Sequence, residues 1–156
     1  MMKTFIHAAA GFLATLIIAT FFLSTVTVEL FGDVAAVAAV KQMIVYGLFI
    51  LVPAMIVTGL SGRAVTGARQ GRLIKTKMRR MAIIAANGLL ILVPCAIILN
   101  NLAASGSFDA VFYTLQSIEL LAGAINLILM GLNIRDGLRL TGRFKKKRMV
   151  VGSAVK

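Results

Sequence analysis

The chain has 156 residues, 60% of them hydrophobic, and carries 17 Lys and Arg against 5 Asp and Glu, a formal net charge of +12. Its apolar residues fall in four long runs, at 5–28, 43–60, 81–99 and 108–134, and a soluble domain of this length could not bury them. The runs show no apolar/polar alternation, which excludes a β-barrel. The basic excess lies in loops, where topology and anionic lipid headgroups account for it without a nucleic-acid partner.

The first helix is expected over 5–29. Lys3 precedes it as in a signal peptide, but the apolar stretch is too long for one and lacks a small-x-small cleavage site. His7, the chain's only histidine, shares a face with Gly11, Ala14 and Thr25, and Glu29 closes the helix. Asp33 can cap the second helix, expected over 34–62, which carries Lys41, Tyr46 and Pro53.

A basic loop follows over 63–80, with Gly62, Gly67 and Gly71 and then Leu73, Ile74, Met78 and Met81 at helical spacing. The glycines do not match a phosphate-cradling loop. The apolar residues read as an amphipathic extension of the third helix at the interface. That helix, expected over 73–102, contains Asn87, Pro94 and a lone Cys95, a small buried hydrophobe with no disulfide partner. Residues 47–57 resemble 88–98 at seven of eleven positions, prolines included. Each proline should remove a helix hydrogen bond and kink its helix.

Asp109, with Ser107 before it, can start the fourth helix, expected over 108–136, and a basic tail fills 137–156, including the Lys and Arg run at 145–148. Sixteen of the 17 basic residues fall on one side of these four helices, with only Lys41 on the other. By the positive-inside rule both termini are cytoplasmic. The expected fold is thus all-α: a single polytopic domain, a four-helix antiparallel transmembrane bundle in a cell membrane, of the bacterial inner-membrane kind. Four short helices enclose little volume, so a homodimer or a place in a larger membrane complex is expected.

The fourth helix carries the most informative pattern. Phe112, Gln116, Glu119, Gly123, Asn126, Met130 and Asn133 alternate spacings of 4 and 3 and stack on one face. Glu119 falls near the middle of the apolar run, where an acid costs about 2.5 kcal/mol or more and marks a functional site by default. Counting depth along the four helices gives an outer polar layer with Thr25, Glu29, Lys41, Tyr46, Asn100, Tyr113, Gln116 and Glu119. An inner layer holds His7, Asn87, Asn126 and Asn133 with Gly11, Gly59, Gly88 and Gly131.

Glu29 and Lys41 flank the first connection and form a ready pair, either a salt bridge clipping the hairpin or part of a gate, ion or quinone-headgroup site. Lys41 is also the one outer cation able to reach Glu119. His7 is either a hydrogen-bonded interfacial residue or a haem ligand, for which Met130 could supply the second bond. The asparagines can serve as interhelical glue.

No catalytic constellation is present: no second histidine, no H-E-x-x-H, no C-x-x-C, and five acids in all. Enzyme activity is not expected. In size and helix count the chain resembles the small multidrug-resistance exporters, but their mid-membrane glutamate lies in the first helix and here that helix has only Glu29 at its end. The resemblance is one of architecture.

Three functions fit. The leading expectation is a binding protein or subunit of a redox, electron-transfer system holding b-type haem or quinone against the polar stripe. The stripe and its neighbours Glu119, Gln116, Asn126, Asn133, Asn87, Glu29 and Lys41 would bind the ligand, with His7 and Met130 toward a cofactor. The second is a proton-coupled small-molecule transporter using Glu119. The third is a structural or assembly subunit without a ligand.

Overall fold

The computed structural model describes residues 2–66 and 71–140; Gly67, Arg69 and the 145–148 basic run lie outside them. All the described elements are helical: α1 Met2–Phe31, α2 Val34–Thr66, α3 Arg72–Asn87, α4 Val93–Ala104 and α5 Ala110–Leu140. One π-helical turn, Gly88–Leu92, joins α3 and α4 into a single run. Four helical segments result, of 28, 31, 33 and 30 residues, each long and apolar enough to cross a membrane. Phe12, Leu16, Phe49, Leu90, Leu121 and Ile128 all point outward, an apolar exterior suited to lipid rather than water.

Contacts along the helices set their directions. His7 near the start of α1 meets Thr58 and Ser61 near the end of α2, whereas Phe21 meets Gly47 farther up the pair. Arg80 of α3 meets Asp136 of α5, and Asn87 meets Ala122. Consecutive spans therefore run antiparallel, as their short connections require. The 32–33 and 105–109 connections lie at one end, called here the turn end, and the end of α2 at Thr66 and the start of α3 at Arg72 lie at the other, the basic end.

The sequence explains how both turn-end connections close. Asp33 Oδ1 accepts from Ala36 N–H at 2.8 Å, and Asp109 Oδ1 accepts from Val111 and Phe112 N–H at 3.0 Å each. Each aspartate thus caps orphan donors of the helix it precedes. At the end of α4, Ser107 N–H donates to Leu102 O and Gly106 N–H to Ala103 O, the paired bonds of a Schellman motif. It needs a left-handed residue, and Gly106 has φ 72°.

The two proline segments that look alike in sequence follow different backbone paths. Pro53 lies inside an unbroken α2, whereas Pro94 is preceded by the π turn, in which Val93 N–H donates to Gly88 O. That wider turn shifts the helical phase between the α3 residues that face the basic end and the α4 residues that face the turn end. Two clusters fill the interior. One contains Ala14, Ile18, Leu51, Ala54, Ile84 and Met130; the other, nearer the turn end, contains Val37, Cys95, Leu99, Ala103 and Phe112.

Candidate functional site

The polar stripe of α5 faces the interior along its whole length. Phe112, Gln116, Gly123, Asn126, Met130 and Asn133 are buried, and Glu119 is largely so. Asp136, three residues past Asn133 and 2% exposed, extends the same face. The stripe carries three polar tiers, each completed by a different helix.

The tier nearest the turn end holds an ion pair between α2 and α5. Lys41 Nζ lies 2.6 Å from Glu119 Oε2 and is completely buried. Gln116 Nε2 donates to the same carboxylate oxygen at 3.2 Å. Glu119 is the tenth residue of α5, about 14 Å from the helix start at 1.5 Å per residue. It therefore sits in the turn-end half of the span rather than at its centre, which is why a lysine only seven residues into α2 reaches it.

The pair has a consequence for Glu29, which the sequence places beside Lys41. The lysine bonds across the bundle to Glu119, and the expected Glu29–Lys41 salt bridge is not among the described ion pairs. Side chains lean toward the N-terminus of their own helix, so Glu29 leans inward from the end of α1 while Lys41 and Glu119 lean toward the turn end. Glu29 stays within electrostatic reach of both.

Beside the pair is a cavity of about 60 Å³, walled by Glu119, Thr25, Phe21, Phe22, Leu92 and Gly123 among others. Space of that size holds about four water molecules, at roughly 10–15 Å³ each. A pocket for a drug-sized ligand occupies about 300–1,000 Å³. Its walls are apolar apart from Thr25 and Glu119, so the cavity is too small for a flat cofactor and offers polar contacts on one side only.

The middle tier joins α3 to α5 through amides. Asn87 Nδ2 donates to Asn126 Oδ1 at 2.8 Å and to Ala122 O at 2.9 Å, and Asn126 Nδ2 reaches Ile84 O at 3.4 Å. Gly88 lets α2 and α5 approach here: a Cβ in its place would lie 3.1 Å from Met55 Cε and 3.9 Å from Asn126 Nδ2. Asn133 is buried below this pair, and its Oδ1 finds no hydrogen-bond partner among the described residues.

The third tier, at the basic end, is absent from the sequence reading. Asp136 Oδ2 lies 2.6 Å from Arg80 Nη1, and Asp136 Oδ1 lies 3.4 Å from Arg135 Nε. In the sequence both arginines read only as topology signals. The available clue was the 3-residue step from Asn133 to Asp136, which continues the stripe.

The inner layer does not assemble as one cluster. His7 sits on the α1–α2 side, with Nδ1 3.1 Å from Thr58 O and 3.4 Å from Ser61 Oγ. Met130 packs in the apolar cluster with Ala14, Ile18 and Leu51. The two candidate haem ligands thus belong to separate neighbourhoods, and both polar contacts of the histidine fall on its Nδ1. Tyr46 is exposed and accepts from Gln42, and exposed Tyr113 packs edge-on against Phe112.

No family model, curated protein or solved structure compared with this chain matches it.

Proposed function

We propose that the chain is a small proton-coupled membrane transporter whose exchange site is the Lys41–Glu119 pair. The observation that carries this reading is a fully buried lysine 2.6 Å from a glutamate that also walls a water-sized cavity. An ionised pair inside the apolar layer is costly to maintain for stability alone, since apolar replacements of similar volume are often equally good. A carboxyl that can exchange its proton beside water, with a counter-ion that compensates each change, accounts for keeping the charges. The transport reading needs no large pocket, whereas a flat haem or quinone would need one together with ligands that are here apart.

The membrane is proposed to be a cell membrane, with the basic end and both termini cytoplasmic and in contact with anionic headgroups. So small an interior calls for a second copy or a larger complex around it. Cysteines introduced at Ser105 and Gly71 check the orientation. In intact cells the Ser105→Cys thiol should react with an impermeant reagent and the Gly71→Cys thiol should not; the opposite labelling would invert the topology. Ser105 is preferable to its neighbour Gly106, whose φ of 72° would strain a side chain.

The transport test uses parent and Glu119→Gln protein in liposomes with an imposed pH gradient. The parent should pass protons and the amide variant should not, because an amide cannot exchange a proton, with circular dichroism used to check that the variant is folded at the assay temperature. A parent without flux would give Glu119 a structural role. A haem absorption band or extractable quinone in purified protein would return the reading to electron transfer.

A further inference from the structure

The Lys41–Glu119 pair leaves two buried oxygens beside it unused. Glu29 Oε1 and Gln116 Oε1 are both sealed from solvent without a hydrogen-bond partner among the described residues, and Gln116 is only 4% exposed. Glu29 comes from α1, Lys41 from α2, and Gln116 and Glu119 from α5. The buried thiol of Cys95 faces the same charges from α4. Every helix that closes the turn end thus contributes to one cluster.

Its charges do not balance when every group is ionised. Two carboxylates and one ammonium leave a net charge of −1 around a fully buried lysine, with Glu29 itself partly buried and its Oε1 sealed from solvent. One added proton brings the cluster to neutrality, and the carboxyl that needs it is the one the ammonium does not serve. In this structure that carboxyl is Glu29, whose Oε1 has no donor beside it.

We propose that Glu29 and Glu119 are alternative partners of Lys41 and share a single exchangeable proton, held by whichever carboxyl the lysine has left. In the arrangement seen here Lys41 pairs with Glu119 and the proton resides on Glu29. In the other arrangement the O–H bond at Glu29 is broken and one forms at Glu119, while the ammonium moves to Glu29. The total charge is unchanged and no other reactant is consumed. Glu29 lies within electrostatic reach of both Lys41 and Glu119, and Gln116 can donate to Glu119 in one state and accept a hydrogen bond from its O–H in the other. Glu29 stands at the end of α1 and Glu119 borders the cavity, so each exchange carries the proton from the turn end one step inward. That last use of the swap rests on the transport reading; the shared proton itself does not.

The composition makes the test direct, because Glu29 and Glu119 are the only two glutamates in the chain. Protein grown with glutamate labelled by ¹³C at the side-chain carboxyl reports on these two groups alone. At neutral pH, isotope-edited infrared spectra of the parent in lipid should show one protonated and one ionised glutamate per chain. Glu29→Gln and Glu119→Gln should each abolish the protonated band, since the remaining glutamate then keeps Lys41 permanently.

Two ionised glutamates in the parent would overturn the proposal, and that measurement needs no variant to fold. So would a protonated band that persists in Glu119→Gln, which would show that Lys41 cannot reach Glu29. A parent band removed by sodium rather than by alkali would replace the proton with a metal cation and also overturn it. The predicted bands without any proton flux in liposomes would sustain the shared proton and remove transport; flux without the bands would do the reverse.

Discussion

Lys41→Met should be the most damaging single substitution in the described bundle, lowering stability by about 3–5 kcal/mol, the usual cost of removing one partner from a buried ion pair. Lys41 is 0% exposed and its ammonium is 2.6 Å from Glu119, so deletion leaves a carboxylate facing apolar walls. In a chain of this size the loss corresponds to a fall of about 10 °C in the melting midpoint, at roughly 2–4 °C per kcal/mol. The double variant Lys41→Met/Glu119→Leu should recover most of it, because removing both charges removes the desolvation cost together with the attraction. Thermal melts in lipid, followed by circular dichroism, measure both. A single variant that melts within 2 °C of the parent would mean that the pair is hydrated and energetically minor.

Asp136→Leu should have the next largest effect, about 2–3 kcal/mol, in the range of a charge-assisted hydrogen bond lost from a buried site. Its two arginine neighbours allow the loss to be apportioned. Arg80 is 19% exposed and holds Asp136 at 2.6 Å, whereas Arg135 is 50% exposed and holds it at 3.4 Å. Arg80→Leu should therefore cost nearly as much as Asp136→Leu, because it strands the acid, while Arg135→Ala should cost less than about 0.5 kcal/mol, as exposed pairs generally do. Raised salt should leave the Arg80 effect in place and erase the Arg135 one, since screening acts mainly on exposed charges. Equal losses in the two arginine variants would refute this division. The geometry, not the number of charges, sets the order.

These two ion pairs also divide what could be read from the chain from what could not. The four apolar runs, the Asp33 and Asp109 caps and the inward stripe on α5 were all legible, because each depends on residues within one helix or one turn. Helical periodicity places Phe112, Gln116, Asn126 and Asn133 on a common face whatever the neighbours are, and an aspartate two or three residues before free N–H groups caps them by local geometry alone. The 3-residue step to Asp136 is equally local, though the basic residues around it read first as topology signals.

Lys41 was legible as a candidate partner for Glu119, being the one basic residue on its side of the helices, but the choice between Glu119 and Glu29 was not. Glu29 is 12 positions from Lys41 and Glu119 is 78, yet the lysine bonds to the distant acid. That choice depends on how far α2 and α5 slide along their axes and how each is rotated, which no single-helix pattern contains. The same freedom separates His7 from Asn126 although counting places them at one depth, and it lets Gly88–Leu92 widen into a π turn while its near-copy at 47–51 stays α-helical. Residues within a helix are related by fixed steps of 1.5 Å and 100°, so their shared face is written in the chain; residues on different helices are related only by packing, and packing alone decided which charges meet.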